Sequence, residues 1–129
     1  MRWLFSVVLL VVVGCAETPE TAWVEGGLYS TRNEDGTFAI VKILKLEDEG
    51  VHIRAYSNQF DSEPEAIDET TLYLAGMDHG PDEQLGMGHL PLLKASFGSW
   101  APRYIKTVPV EDAELEGYRM WKDAGGGFF

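Results

Sequence analysis

Thr37-Phe38-Ala39-Ile40-Val41-Lys42-Ile43-Leu44-Lys45-Leu46, followed by Glu47-Asp48-Glu49-Gly50 and Val51-His52-Ile53-Arg54-Ala55-Tyr56, is the stretch on which the fold turns. In its last part Val51, Ile53 and Ala55 alternate with His52, Arg54 and Tyr56, the period of two that marks a strand with one face toward a core. The first part is β-branched and aromatic and carries apolar side chains on both faces, Phe38, Ile40 and Leu44 against Ala39, Val41 and Ile43. That predicts a central strand, covered on both sides or strongly bent. The acidic residues between them end in glycine and read as a turn. Upstream, Gly26-Gly27-Leu28-Tyr29-Ser30 runs to Asn33-Glu34-Asp35-Gly36, whose Asp-Gly suits a hairpin. Three sequential strands are therefore expected, and the fold class is mainly β (α+β).

Downstream, residues 76–88 are rich in Gly, Pro and Asp and predict a loop. Pro91 is placed to be the first residue of a short helix, with Leu93, Phe97 and Trp100 on one face and Pro102 as its stop. Tyr104 to Val110 predicts a strand. Glu111 to Lys122 has acids first and bases last, as a helix dipole favours, with Leu115, Tyr118 and Trp121 on one side. Gly117 inside this helix costs about 1 kcal/mol relative to alanine, which implies either close packing there or a different boundary. Gly125 to Gly127 end the helix and are expected to let Phe128 and Phe129 dock back on the domain, with an aromatic tail facing a partner as the alternative. No internal repeat is visible.

The meander, continued by Ser57-Asn58-Gln59-Phe60 and by Ile67 to Leu72, resembles the Tudor and agenet type of SH3-like barrel. Gly27-Leu28-Tyr29, Asp35-Gly36-Thr37-Phe38, Val51-His52-Ile53-Arg54 and Tyr56-Ser57-Asn58 carry the likeness, which covers less than half of the chain. Ser57 stands where that family commonly has glycine. The resemblance implies a small SH3-like barrel with one or two appended C-terminal helices, and aromatics grouped at its rim. Tyr29, Phe38, Tyr56, Asn58 and Phe60 are the corresponding candidate binding face; the fold is carried over, the methylated ligand of that family is not. Coverage of Phe38 and Phe60 by Tyr118 and Trp121 is the competing expectation.

At the N-terminus, Arg2 precedes an apolar stretch from Trp3 to Val13, and Val12-Val13-Gly14-Cys15 resembles a bacterial lipobox. Cys15 is the only cysteine of the chain. The resemblance implies signal-peptidase cleavage between Gly14 and Cys15, lipid on Cys15, and anchorage in the cell envelope. The run is near half the length of about 20 apolar residues that a spanning helix needs. With Ala16 after the cysteine, the family's sorting pattern implies the outer membrane, facing the periplasm. The expected organisation is a signal peptide at 1–14, a lipidated tether at 15–22 and one globular domain at 23–129. Its SH3-like part is expected at about 24–76 and a C-terminal extension at about 77–129.

The formal net charge is −11, and loss of Arg2 with the signal takes it to −12. Such a surface repels phosphate backbones, so nucleic acid is not an expected partner; the membrane, through the lipid on Cys15, and an envelope protein are. His52, His79 and His89, with Asp78 and Asp82, form the one conceivable metal set, but their spacing fits no zinc motif, and neither metal nor cofactor is expected. Gly98-Ser99-Trp100 lacks the second glycine of a nucleophile elbow. The acidic groups at 47–49 and 61–63 read as solvated turns, and Gly86 and Gly88 lack dinucleotide or P-loop spacing. The expected function is a lipid-anchored envelope binding or structural module without catalysis. The alternatives are an inhibitor or immunity-type lipoprotein and a metal-dependent enzyme using His79 and His89.

Overall fold

The computed structural model describes residues 23–129. The signal at 1–14, the Gly14-Cys15 junction and the tether at 15–22 lie outside the described residues. Five strands, β1 (Gly27–Arg32), β2 (Phe38–Leu46), β3 (Gly50–Ala55), β4 (Met87–Leu93) and β5 (Arg103–Thr107), form one antiparallel sheet in the order β4-β3-β2-β1-β5. The three sequential strands expected from the alternation are β1 to β3. At the first turn Gly36, at φ 89°, takes the left-handed conformation, and its N–H donates to the Asn33 carbonyl. At the second turn the Glu47 N–H donates to the Gly50 carbonyl. β2 is central, paired with β1 and β3, and both its faces are buried. β4 and β5, which fall in the expected C-terminal extension, complete the same sheet.

The sheet is open. β4 and β5 stand at its two edges, so the expected closed barrel is corrected to an open five-stranded sheet. One physical reason lies at the outer edge of β4, which is already occupied: the Phe129 N–H donates to the Pro91 carbonyl at 3.0 Å and the Leu93 N–H donates to the Phe129 carbonyl at 2.8 Å. Pro91 is also not the start of a helix, as its ring had suggested. It sits inside β4, opposite His52. Because its carbonyl points to the outer edge, its nitrogen does too, and no bond to β3 is lost. The helix begins three residues later as α1 (Lys94–Ser99), whose Phe97 is wholly buried.

One sheet face carries the core of Trp23, Tyr29, Val41, Ile43, Val51, Ile53, Leu92 and Phe97. Trp23 meets Phe97 edge-on with ring centres 4.8 Å apart, and Tyr29 meets Phe97 and Tyr104 in the same way. Each such buried side chain contributes roughly 1.5–3 kcal/mol of transfer free energy. The opposite face carries Leu28, Ile40, Leu44, Lys42 and His52, all buried, and the C-terminal segment holds to it. That segment forms a short 3-10 turn at Asp112–Leu115 and then α2 (Glu116–Asp123). The Glu114 carboxylate caps the turn by accepting from the Glu111 N–H at 2.9 Å and takes the Lys42 ammonium at 2.9 Å. Lys42 also donates to the Pro109 carbonyl.

Both explanations for Gly117 hold: the helix expected from Glu111 begins only at Glu116, which puts Gly117 in its first turn, and the packing there is close. A β-carbon there would lie 2.6 Å from the His89 β-carbon, so α2 approaches β4 more closely than any side chain allows. The helix ends where the glycines begin: Gly125, at φ 66°, and Gly126 donate back to the Lys122 and Trp121 carbonyls, the Schellman arrangement that turns a chain off a helix. Phe128 then docks, its ring 5.1 Å from that of Trp121, while the Phe129 side chain stays exposed.

Candidate functional site

The strand registers separate the five residues of the expected binding face. Tyr29 is opposite Val41, which puts it on the core face. It is fully buried, its hydroxyl accepts from the Val24 N–H at 3.0 Å, and burial raises its pKa. Phe38 and Tyr56 belong to the other face. Asn58 is engaged internally: its amide donates to the Thr71 carbonyl and accepts from the Tyr73 N–H, both at 3.0 Å, pinning the long connection between β3 and β4. Phe38 and Phe60 exchange backbone bonds of 2.8 and 2.9 Å. The five therefore form no single rim, because a period of two places neighbours on opposite faces. Tyr56 instead borders a groove of about 350 Å³ with Lys42, Arg54 and Glu114. There burial, aided by the Glu114 charge, pushes its hydroxyl up to about 12.

Tyr118 and Trp121 do not cover Phe38 and Phe60. They cover His52. The β2–β3 turn presents Glu47, β3 presents His52, and β4 brings His89 to the same face. His52 Nε2 lies 2.7 Å from Glu47 Oε1, and His52 Nδ1 lies 2.8 Å from His89 Nε2. The two imidazoles stack with centres 5.1 Å apart and planes 13° apart. An ionised carboxylate only accepts, so His52 Nε2 carries a proton, His52 Nδ1 accepts, and His89 Nε2 donates. Tyr118 donates to the second Glu47 oxygen at 3.1 Å. The rings of Tyr118, Trp121 and Phe128 close over His52 at centre distances of 4.7, 4.4 and 5.3 Å, leaving it fully buried.

The electrostatics follow from this geometry. The His52 hydrogen bond, chiefly, holds the Glu47 carboxyl below its usual range against the effect of burial. Burial, chiefly, and then the cost of placing a second positive charge beside the His52 ring lower the pKa of the His89 imidazole. The chain Tyr118, Glu47, His52 and His89 can hold and relay a proton, but its donors and acceptors are largely consumed within the fold. Beside it Glu47, Asp48, Glu49, Trp121 and Phe128 border an open groove of about 530 Å³.

His79 does not join the pair. It lies on the exposed loop before β4 with Nδ1 3.0 Å from the Gly80 carbonyl. Among the described residues no group of three or more His, Cys, Asp or Glu side chains could hold a metal ion, so the grouping of His52, His79 and His89 with Asp78 and Asp82 is not assembled. The His52–His89 contact was missed because it crosses 37 positions and needs β4, which Gly88 and Pro91 hide from pattern reading. Comparison with protein-family models, with curated proteins and with solved structures finds no match to the chain.

Proposed function

We propose that this chain is a lipid-anchored binding or structural module of the cell envelope, without catalytic activity. The observation that carries the reading is the Val12-Val13-Gly14-Cys15 junction, which puts the single cysteine directly after a short apolar run headed by Arg2. Two or more acyl chains on Cys15 would anchor the domain stably, since each buried methylene contributes about 0.8 kcal/mol. The non-enzymatic part is supported by the way the richest titratable cluster is used: Glu47, His52 and Tyr118 satisfy one another under an aromatic cover. We further read the sheet as an opened SH3-like arrangement. The order β4-β3-β2-β1-β5, with a short helix between the fourth and fifth strands, supports that reading. The test is metabolic labelling with a fatty acid. Wild type takes up label and fractionates with membranes, and Cys15→Ala does neither; label that persists in the variant ends the lipoprotein reading.

A further inference from the structure

We propose that the groove between the β1–β2 turn and Trp100 binds a sugar ring of a neutral glycan. The proposal deepens the reading of the domain as a binding module and does not depend on the lipid. The groove measures about 490 Å³ and is bordered by Arg32, Asn33, Asp35, Gln59, Gln84 and Trp100, within the range of about 300–1,000 Å³ usual for small-molecule sites. Trp100 is 37% exposed, braced on its inner side by the edge-on ring of Phe97 at 6.1 Å. The residue after it, Ala101, has φ 50°, a left-handed conformation that costs a residue bearing a β-carbon about 1 kcal/mol. Its N–H donates to the Gly98 carbonyl at 3.0 Å, so this residue ends α1 and fixes where the chain carries Trp100.

Around the indole stand planar polar groups. Arg32 has no ion pair among the described residues. Asp35 spends Oδ1 on the Thr37 N–H and hydroxyl, at 3.0 and 2.6 Å, and Oδ2 takes no hydrogen bond among the described residues. Gln84 is the informative one. Its amide nitrogen makes only a 3.5 Å contact with Asn33, and its buried oxygen has no partner among the described residues. An unsatisfied buried acceptor costs about 1–3 kcal/mol, so turning this amide toward a ligand hydroxyl sacrifices no normal hydrogen bond and relieves a penalty.

A pyranose matches this surface in both respects. Its axial C–H face lies on an indole, and each hydroxyl donates and accepts, as amide, guanidinium and carboxylate groups arranged in planes require. One cation offset by neighbouring acids gives no preference for a charged ring, and a net charge of −11 repels polyanions. An acetamido sugar adds a further complement to the amides of Gln59 and Gln84, while the Asn33 amide nitrogen is held by the Thr37 hydroxyl at 2.9 Å.

The test uses the full-length protein in a sugar-free zwitterionic detergent, titrated with tetra-N-acetylchitotetraose, with cellotetraose, and with polygalacturonate as the anionic comparison. Expected are saturable amide NMR shifts confined to residues 31–35, Gln59, Gln84 and Trp100 with one of the neutral tetrasaccharides, and none with polygalacturonate. Trp100→Ala weakens binding at least about tenfold. The exposed Gln59→Ala weakens it severalfold at an unchanged melting temperature, and Trp100→Phe weakens it severalfold with the fold kept. The proposal is overturned if neither neutral tetrasaccharide binds at millimolar concentration, if shifts map elsewhere, or if these variants bind as wild type does. Fatty-acid labelling at Cys15 is scored separately, so loss of the anchor and loss of the glycan site are told apart.

Discussion

Replacing Gly117 by alanine sets two opposed effects of known sign against each other. In an exposed helix the change stabilises, by at most about 1 kcal/mol, because glycine loses more backbone freedom on folding. Here the new methyl would sit 2.6 Å from the His89 β-carbon, where ordinary carbon contacts are about 3.5–4.0 Å. The helix must therefore retreat by roughly 1 Å, and overpacking of this kind costs about 1–3 kcal/mol. The retreat also draws Tyr118 and Trp121 off His52. The expected net effect is a loss of about 1–2 kcal/mol, or roughly 4–8 °C in melting temperature for a domain of this size. The obstacle is a β-carbon, so His89→Ala does not relieve it, but His89→Gly does: in that background Gly117→Ala is neutral or stabilising. Urea denaturation of the four proteins measures this. A Gly117→Ala variant more stable than wild type refutes the packing of α2 on β4 described above.

Phe128→Ala should cost about 2 kcal/mol, less than the roughly 3–5 kcal/mol of a fully buried phenylalanine, because its ring is only half covered; a change below a few tenths in the same denaturation assay would mean the tail is not docked. Lys42→Ala removes one partner of a buried ion pair and should cost about 3 kcal/mol, whereas Lys42→Met with Glu114→Leu should cost much less; equal losses would contradict that pairing. Stability should also fall on acidification in two stages. His89 is held below its ordinary value, so the folded chain binds fewer protons than the unfolded one once the pH drops through about 6.5, and stability present above that pH declines below it. Glu47, also lowered, contributes above the ordinary carboxylate range near about 4.3, and that contribution is lost as the pH falls through its reduced folded value. A urea midpoint that stays flat from pH 8 to 5 would contradict the lowered pKa of the half-buried His89.

Alternation in residues 51–56 and the two apolar faces of 38–46 were enough to place β1, β2 and β3, because those signals are local. β4 was not legible. Gly88 and Pro91 interrupt its pattern, and proline at an edge position looks, residue by residue, like the first position of a helix. The alternation also states only that His52 and Val51 face opposite ways; whether the second face is wet depends on α2 and on residues 118–128, far along the chain. Tyr29 and Tyr56 looked like neighbours on a rim for the same reason. Their faces are set by register with β2, which no single strand reveals. Gly117 was readable as a sign of close packing or of a different boundary, and both hold: His89 is close and α2 starts only at Glu116.

The two backbone bonds that Phe129 makes to Pro91 and Leu93 bear on solubility. A bare sheet margin is a template on which a second copy can add its own strand, and then a third, until a fibre grows. Here Phe129 takes the Pro91 carbonyl and the Leu93 N–H on the outer margin of β4, and Pro91 itself offers no hydrogen there. At this margin the pairing that would recruit a neighbour is met within the same molecule, so a second copy must displace Phe129 before its own strand can add there.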